Sequence, residues 1–462
     1  MGFNLLDDPW IPLLDHEGRR VEVGLLEALE GGERYAGLAT AHPLERAALL
    51  RLLLAAAQRI VGPDPEARRP LYHEGRLPPG LARAYLEDYR SRFDLEGPTP
   101  FLQVGDLGLE GEDEPRAITA LLPELPQGGW PLIAGRPDHD PPALTPARAA
   151  RALLVFQTFA TGGLFNRQGV TSLMDAPAAR PALFFAEGDN LARTLLLNLV
   201  PAEADDRPFW ERTPTPAAAL EGYRTAVPLR GPATRYTFLA RGVRLLRDPD
   251  GRYRRVHLGP GWYPEKPDAC PMARHFETEK YGWLPVRLGG EAPPEMLALE
   301  ARLLPEGRPA TLESALTLVE AFPRIGVAGQ LTDPQRAAKV LGYRLAHVPG
   351  DRLPPPEVLE AAQEAAQQLE RIAWQAVYTE LPRASKKTQQ TRMAALRPLA
   401  PYWRALMEAY TVGGLDREAV ARAVRRAGAE LAQRLVDSPA AAAVARNRSR
   451  ALARTITGEE AA

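Results

Sequence analysis

The chain has 462 residues, 45% of them hydrophobic, and a formal charge of -1. That is length for two to four domains and apolar content for a sizeable core, while the near-neutral balance excludes a globally basic nucleic-acid binder: an anionic partner must meet a local patch. The lone Cys270 excludes an intramolecular disulfide and a multi-cysteine zinc site, and it suits a reducing cytoplasm.

Residues 3–14 mix apolar side chains with Pro9 and Pro12 and read as an extended element with a turn. The start has no signal-peptide pattern, and no run reaches the roughly 18–20 apolar residues of a membrane span. A helix is expected over 24–29. A stronger one is expected over 42–61, where Leu44, Ala48, Leu52 and Ala55 recur at helical spacing until 62–65 stops them. A third spans 80–93. Residues 97–144 are rich in Pro, Gly and Asp and read as loops, a length that implies function or disorder. Residues 145–161 are helical, with Thr145 as N-cap and Pro146 in the first turn. Further on come a helix over 190–199, strands over 237–258 around the turn Asp248-Pro249-Asp250-Gly251, a strand over 281–288, a helix over 311–322 and a strand over 339–346. After Pro354-Pro355-Pro356 the pattern is purely helical, in segments 357–381, 387–409, 416–436 and 439–456, with Asp416 as an N-cap. The fold class expected is α+β: a mixed domain over 1–353 with irregular loops and small β-sheets, then a four-helix bundle over 357–462.

Motifs for catalysis are missing: no phosphate-binding G-x-x-x-x-G-K-[ST], no G-x-S-x-G, no H-E-x-x-H. The seven histidines are scattered, with His139 inside Asp138-His139-Asp140 the most site-like, though a solvated loop is the better reading. Asp7-Asp8 would point to opposite faces of an extended segment, so turn formation suits them better than shared acid–base work. No catalytic residue, metal or cofactor is assigned. A hydrolase with its site in the 97–144 loops is the enzymatic alternative.

Two features point to nucleic acid. Residues 383–454 hold fifteen Lys and Arg against five Asp and Glu, a balance of +10, so the rest of the chain carries about -11. Lys386 and Lys387 open one helix of that segment. Arg446, Arg450 and Arg454 share one face of another at i, i+4, i+8, with Arg448 among them. Such arginines either contact phosphate or only solvate a bundle. The second feature is Thr161-Gly162-Gly163-Leu164-Phe165-Asn166-Arg167-Gln168-Gly169. Its glycines allow close backbone approach to a ligand, and Asn, Arg and Gln read base edges or hold phosphates. The competing reading is a helix C-cap with Gly162 as left-handed terminator.

Phe3-Asn4-Leu5-Leu6-Asp7-Asp8-Pro9-Trp10-Ile11-Pro12 resembles the N-terminal signature of the CasA-type large subunit of the type I-E CRISPR Cascade complex, F-N-L-[IL]-D-x-P-W-I-P. Pro100-Phe101-Leu102-Gln103 is similar to that family's P-F-[LM]-Q, and Leu195-Leu196-Leu197-Asn198 follows the glycine segment in the family's order. The resemblance implies a cytoplasmic, non-catalytic subunit of an RNA-guided complex. Its implied partners are the guide RNA, the other Cascade subunits, double-stranded target DNA bearing a short protospacer-adjacent motif, and a helicase-nuclease recruited afterwards. It implies minor-groove contact by Thr161, Gly162, Gly163, Asn166, Arg167 and Gly169, and local duplex opening by a wedge at Gln335, Arg336 and Ala337 or alternatively at Gly329-Gln330. It further implies a motif-contacting cation among Arg254, Arg255 and Lys266, a guide-RNA contact at Arg136, and DNA-backbone contact by the bundle. The remaining alternative is a nucleic-acid-binding protein outside CRISPR systems.

Overall fold

A computed structural model describes residues 2–109, 114–123, 140–265, 270–278, 282–288, 293–303, 306–332, 340–349 and 354–459. The chain forms two compact units. The first comprises Met1–Leu288 with Gly307–Leu345, and the second Gly289–Glu306 with Ala346–Ala462.

The first unit opens on the signature segment, whose polar side chains hold its turn. The Asn4 amide N–H donates to Asp8 Oδ2 at 2.6 Å, and its side-chain oxygen accepts from Leu6 N–H at 3.0 Å. Trp10 Nε1 donates to Leu5 O at 2.9 Å, and Asp7 pairs with Arg90 at 2.7 Å. Both aspartates therefore do structural work. Strands β1 (Ile11–Asp15) and β2 (Arg20–Val23), helix α1 (Leu25–Glu30) and strand β3 (Tyr35–Leu38) follow, giving the sheet β2-β1-β3.

Helix α2 (Pro43–Ile60) is the axis of this unit. Leu44, Leu49, Leu50, Leu52, Leu53 and Leu54 are all at most 2% exposed, so it is buried on every side. Each such leucine stabilises the fold by roughly 1.5–3 kcal/mol. Gly62, at φ +80°, turns the chain into α3 (Pro65–Glu74), a helix the sequence pattern did not mark, and then α4 (Leu81–Glu87). Arg68 of α3 is 1% exposed and has no ion pair among the described residues. Its guanidinium donates to Leu196 O, Leu199 O and the hydroxyls of Ser314 and Thr317 at 2.8–3.2 Å, and burial pushes it down to about 10.

The described part of 97–144 contains only the two-residue strand β4 (Arg116–Ala117) and the turn Ile118–Leu121, in keeping with a loop-rich segment. Helix α5 (Pro146–Phe159) starts on Thr145, whose hydroxyl accepts from Arg148 N–H at 3.3 Å. Then come β5 (Gly163–Arg167), β6 (Val170–Leu173), β7 (Leu183–Glu187), α6 (Leu191–Leu197), α7 (Ala217–Leu220), β8 (Ala226–Pro228), α8 (Pro232–Tyr236), β9 (Arg241–Arg247), β10 (Tyr253–Pro260), β11 (Tyr263–Glu265), β12 (His275–Thr278) and β13 (Gly282–Pro285). Helix α9 (Pro294–Leu303) belongs to the second unit. Helix α10 (Ala310–Leu316) and strands β14 (Arg324–Thr332) and β15 (Val340–Pro349) close the mixed part. The sheets are small: β4-β10-β9, β15-β14-β7, and the pairs β5-β6, β11-β8 and β12-β13. Family-like motif residues serve this framework. Asn198 accepts from Ala186 N–H and donates to Ala186 O, tying α6 to β7, while Gln103 bridges Leu95 O and Leu245 N–H.

The second unit is helical: α11 (Pro356–Glu380), α12 (Lys386–Leu396), α13 (Ala400–Val412), α14 (Arg417–Arg434) and α15 (Pro439–Thr457), with α9 beside α13. Helices α11, α15, α14 and α13 pack in succession. The segment expected as one helix over 387–409 is two, because Arg397 takes a left-handed φ of 44° ahead of Pro398, whose ring disfavours the helical conformation there. Asp416 caps α14 through Ala419 N–H at 2.6 Å. Helices α14 and α15 approach closely at Gly428, where an added Cβ would collide with the side chain of Ser449. No helix among the described residues is long and apolar enough to cross a membrane.

Candidate nucleic-acid interface

The glycine segment is a β-hairpin, neither a loop nor a helix cap. Helix α5 ends at Ala160, at φ -55° and ψ 125°, and Gly162 has no positive φ, so the left-handed terminator reading fails. Strands β5 and β6 pair antiparallel, with Gly163 opposite Leu173, Leu164 opposite Ser172 and Arg167 opposite Val170. The two-residue turn is Gln168-Gly169, at φ 50° and 69°, the positive pair a type I′ turn requires.

Contacts distant in sequence hold this hairpin. Gly162 N–H donates to Asp175 Oδ1 at 2.6 Å, and Arg180 clamps the same carboxylate at 2.7 and 2.9 Å. The buried Arg241 donates to Thr161 O at 3.0 Å. At the turn, Gly222 N–H donates to Gln168 O at 3.0 Å. The Tyr223 hydroxyl accepts from Met174 N–H at 2.7 Å, and burial pushes that phenol up. Tyr223 sits at φ 57°, a strained value for a bulky residue, next to Gly222 at φ 60°. Sequence reasoning passed over this brace, because nothing near 222–223 marks a contact some fifty residues away.

The two glycines differ in kind. A Cβ on Gly162 would lie 2.6 Å from Leu173 O, so that position is closed by the hairpin's own backbone. A Cβ on Gly163 would meet nothing within 4 Å. Gly163 thus presents bare strand backbone to solvent, beside Leu164, which is 86% exposed. Opposite Leu164 in the alternation of the strand, Phe165 is buried beneath the Arg116 guanidinium, 5.7 Å from its ring centroid. The side chains of Asn166 and Arg167 lie outside the described residues.

The other expected contacts separate clearly. Gln330 is 3% exposed within β14, and its side-chain amide donates to Phe159 O at 2.6 Å and Ala179 O at 3.1 Å. It ties the sheet to the end of α5 and is no hairpin tip, so Gly329-Gln330 is not the wedge. Gln335, Arg336 and Ala337 fall in the connection between β14 and β15, outside the described residues, as do Arg136, Lys266 and His139. Arg254 pairs with Asp248 and Asp250 of its own turn, both at 2.8 Å, which occupies its guanidinium. Arg255 is exposed and has no ion pair among the described residues.

In the helical unit the cations sort by helix. Four of the five arginines of α14 are paired locally: Arg422 and Arg425 with Glu418, Arg426 with Glu408 and Glu430, and Arg434 with Glu430, at 2.6–3.8 Å. Arg446, Arg450 and Arg454 on α15, and Lys386 and Lys387 at the start of α12, are exposed and have no carboxylate partner among the described residues. Exposed cations without a carboxylate partner among the described residues thus line α15 and the first turn of α12, with others at Arg371, Arg397, Arg404 and Arg417. Among the described residues no three His, Cys, Asp or Glu side chains group so as to hold a metal ion. Cys270 is buried, 3.9 Å from the Arg51 guanidinium, which also lies 4.6 Å over the Tyr236 ring.

Comparison with known proteins gives a consistent picture. The model of the family CRISPR-associated protein Cse1 matches residues 4–435. A curated CRISPR-associated protein CasA/Cse1 of Thermus thermophilus is 41% identical over 437 residues, covering 88% of this chain and 86% of the relative. A solved structure of Thermus thermophilus CasA (Cse1) superposes with a TM-score of 0.80 at 36% identity, over 99% of both chains. In fold alone, a chain of a CRISPR RNA-guided surveillance complex matches with a TM-score of 0.77 at 20% identity, over 98% of this chain and 99% of that one. A mixed unit carrying a glycine hairpin, a helical unit with exposed cations on α15 and α12, and a family match spanning nearly the whole sequence lead to one assignment: the chain belongs to the CRISPR-associated Cse1 (CasA) family.

Proposed function

We propose that this chain is the large, non-catalytic subunit of a CRISPR RNA-guided surveillance complex and that it reads the protospacer-adjacent motif in duplex DNA. Family membership supports the subunit role, and the open backbone at Gly163 on a braced hairpin supports the reading role. The hairpin lies along the minor groove, where a side-chain-free strand reaches the base edges. Readout there is degenerate, so several related motifs are accepted. The protein reads the short motif and base pairing with the guide reads the rest.

Arg255 or Lys266 adds a cationic contact to the motif, and Gln335, Arg336 and Ala337 act as the wedge that starts duplex opening and R-loop formation. Arg136 meets the guide RNA. The exposed cations of α15 and α12 follow the DNA backbone, and the bound assembly then offers a docking surface to the helicase-nuclease.

The test is reconstitution. A complex of guide RNA and the remaining subunits is assembled with and without this chain, and its affinity is measured for duplexes differing only in the motif. The expected result is a preference for one motif class that appears only when the chain is present. Equal affinity for all motifs in its presence refutes the proposal.

A further inference from the structure

Leu164 is 86% exposed, more than any other large apolar side chain among the described residues. It stands opposite Ser172 in the β5–β6 pair. Met174 follows two residues after Ser172, so Leu164 and Met174 are diagonal neighbours on one face of the hairpin. Met174 is 38% exposed. The base beneath this apolar pair is fixed: Arg241 holds Thr161 O, Asp175 holds Gly162 N–H, and the Tyr223 hydroxyl holds Met174 N–H. Leu164 therefore projects from a preorganised platform, and little conformational freedom is lost when a ligand closes on it.

The projection is narrow. Gly163 leaves bare backbone on one side of Leu164, and the exposed Thr171 and Ser172 stand across the strand pair. A stable protein partner buries about 800 Å² on each side, and two apolar side chains supply a small part of that. A ridge of this form suits a groove better than a flat surface. Charge at the hairpin tip agrees with an anionic groove. A Cβ on Gly222 would lie 3.8 Å from Gly169 O and 4.0 Å from Arg224 Nε, so the Arg224 side chain runs beside the turn. Arg224 is exposed and has no ion pair among the described residues. Glu221 is its exposed acidic neighbour, whereas Asp175 is taken up by both arms of Arg180.

Leucine and methionine are among the apolar wedges that minor-groove proteins insert between base steps, partly unstacking them. We propose that Leu164, backed by Met174, enters the minor groove of the motif duplex and partly unstacks one base step, while Arg224 meets a phosphate at the rim of the groove. The proposal rests on the assignment of motif reading to the hairpin and gives that reading a second source of selectivity. Unstacking costs least at pyrimidine–purine steps. Leu164 therefore selects deformable motifs without a hydrogen bond to any base, and the bare backbone at Gly163 lets the strand come close enough for its side chain to reach the step.

The experiment uses the assembled complex with guide RNA and a duplex that carries the motif but no sequence matching the guide, so that strand pairing does not begin. A fluorescent aminopurine base within the motif reports unstacking by a rise in emission, and anisotropy reports affinity. The parent chain is expected to raise the emission. Leu164→Ala should abolish the rise and weaken binding about tenfold, with the melting temperature and incorporation into the DNA-free complex unchanged. Leu164→Met should keep both the rise and the affinity. A parent that prefers the motif without raising the emission overturns the insertion and leaves motif reading by the hairpin standing, as does a Leu164→Ala variant that behaves like the parent. Loss of incorporation in Leu164→Ala makes the ridge a contact with another subunit and also overturns the proposal. A parent with no motif preference refutes the underlying reading and the insertion together.

Discussion

The difference between Gly162 and Gly163 gives the sharpest test of the hairpin. Valine at 162 forces a Cβ to within 2.6 Å of Leu173 O and 3.1 Å of Asp175 N, all backbone, so the hairpin itself must shift. Overpacking of that kind costs about 1–3 kcal/mol, and the strained bond from Gly162 N–H to Asp175 adds about 1 kcal/mol more. Valine at 163 meets nothing within 4 Å and sits at an ordinary strand φ, where it is favoured over glycine by up to ~1 kcal/mol. Gly162→Val should therefore lower the melting temperature, and Gly163→Val should leave it unchanged or raise it. The binding effects run the other way in informativeness. Gly163→Val places two methyl groups on the bare backbone face, and loss of one base-pair reading costs about 1–3 kcal/mol, or roughly five- to 150-fold. The assay is anisotropy on the assembled complex, with duplexes that carry or lack the motif. A folded Gly163→Val variant whose motif preference matched the parent's would refute the minor-groove placement of this strand. Equal melting temperatures for the two variants would refute the steric argument.

Further outcomes follow from the same geometry. Reversing Arg446, Arg450 and Arg454 to Glu should weaken duplex binding equally across sequences and reduce the slope of log affinity against log salt by about three; a sequence-selective loss would mean these residues do not contact the backbone. Gly428→Ala should destabilise the helical unit despite alanine's helix propensity, because about 1–3 kcal/mol of overpacking against Ser449 exceeds the ~1 kcal/mol gained; thermal unfolding decides it, and a stabilised variant contradicts the close approach of α14 and α15. Burial lowers the His275 imidazole below its usual 6.5. The unfolded chain then binds the proton more readily than the folded one, so stability falls as pH drops through about 6.5. Unfolding in denaturant between pH 7.5 and 5.5 should show a shallower decline for His275→Gln, and an unchanged decline would assign the acid sensitivity elsewhere.

Much of the local structure was written in short-range pattern. The apolar spacing in α2 and α5, the Thr145 and Asp416 caps, the Asp248–Gly251 turn and the i, i+4, i+8 arginines of α15 each depend on residues within one or two turns of one another. The family, too, was legible, because the signature 3–12 is a contiguous string. Yet the side chains of that string hold a turn, and the candidate site lies elsewhere.

Tertiary structure decided what depended on distant partners. A glycine-rich stretch reads as a loop until Asp175, Arg180, Arg241 and the Gly222-Tyr223 pair fix it as a hairpin. Gln330 looked available for DNA until β14 buried it against α5. Counting charges gave +10 for residues 383–454, but only packing revealed that Glu408, Glu418 and Glu430 pair with four arginines of α14, while Arg446, Arg450 and Arg454 of α15 have no carboxylate partner among the described residues. The physical reason is common to all three: composition and periodicity fix which face of an element is apolar or charged, while availability to a ligand is set by what the fold places opposite that face.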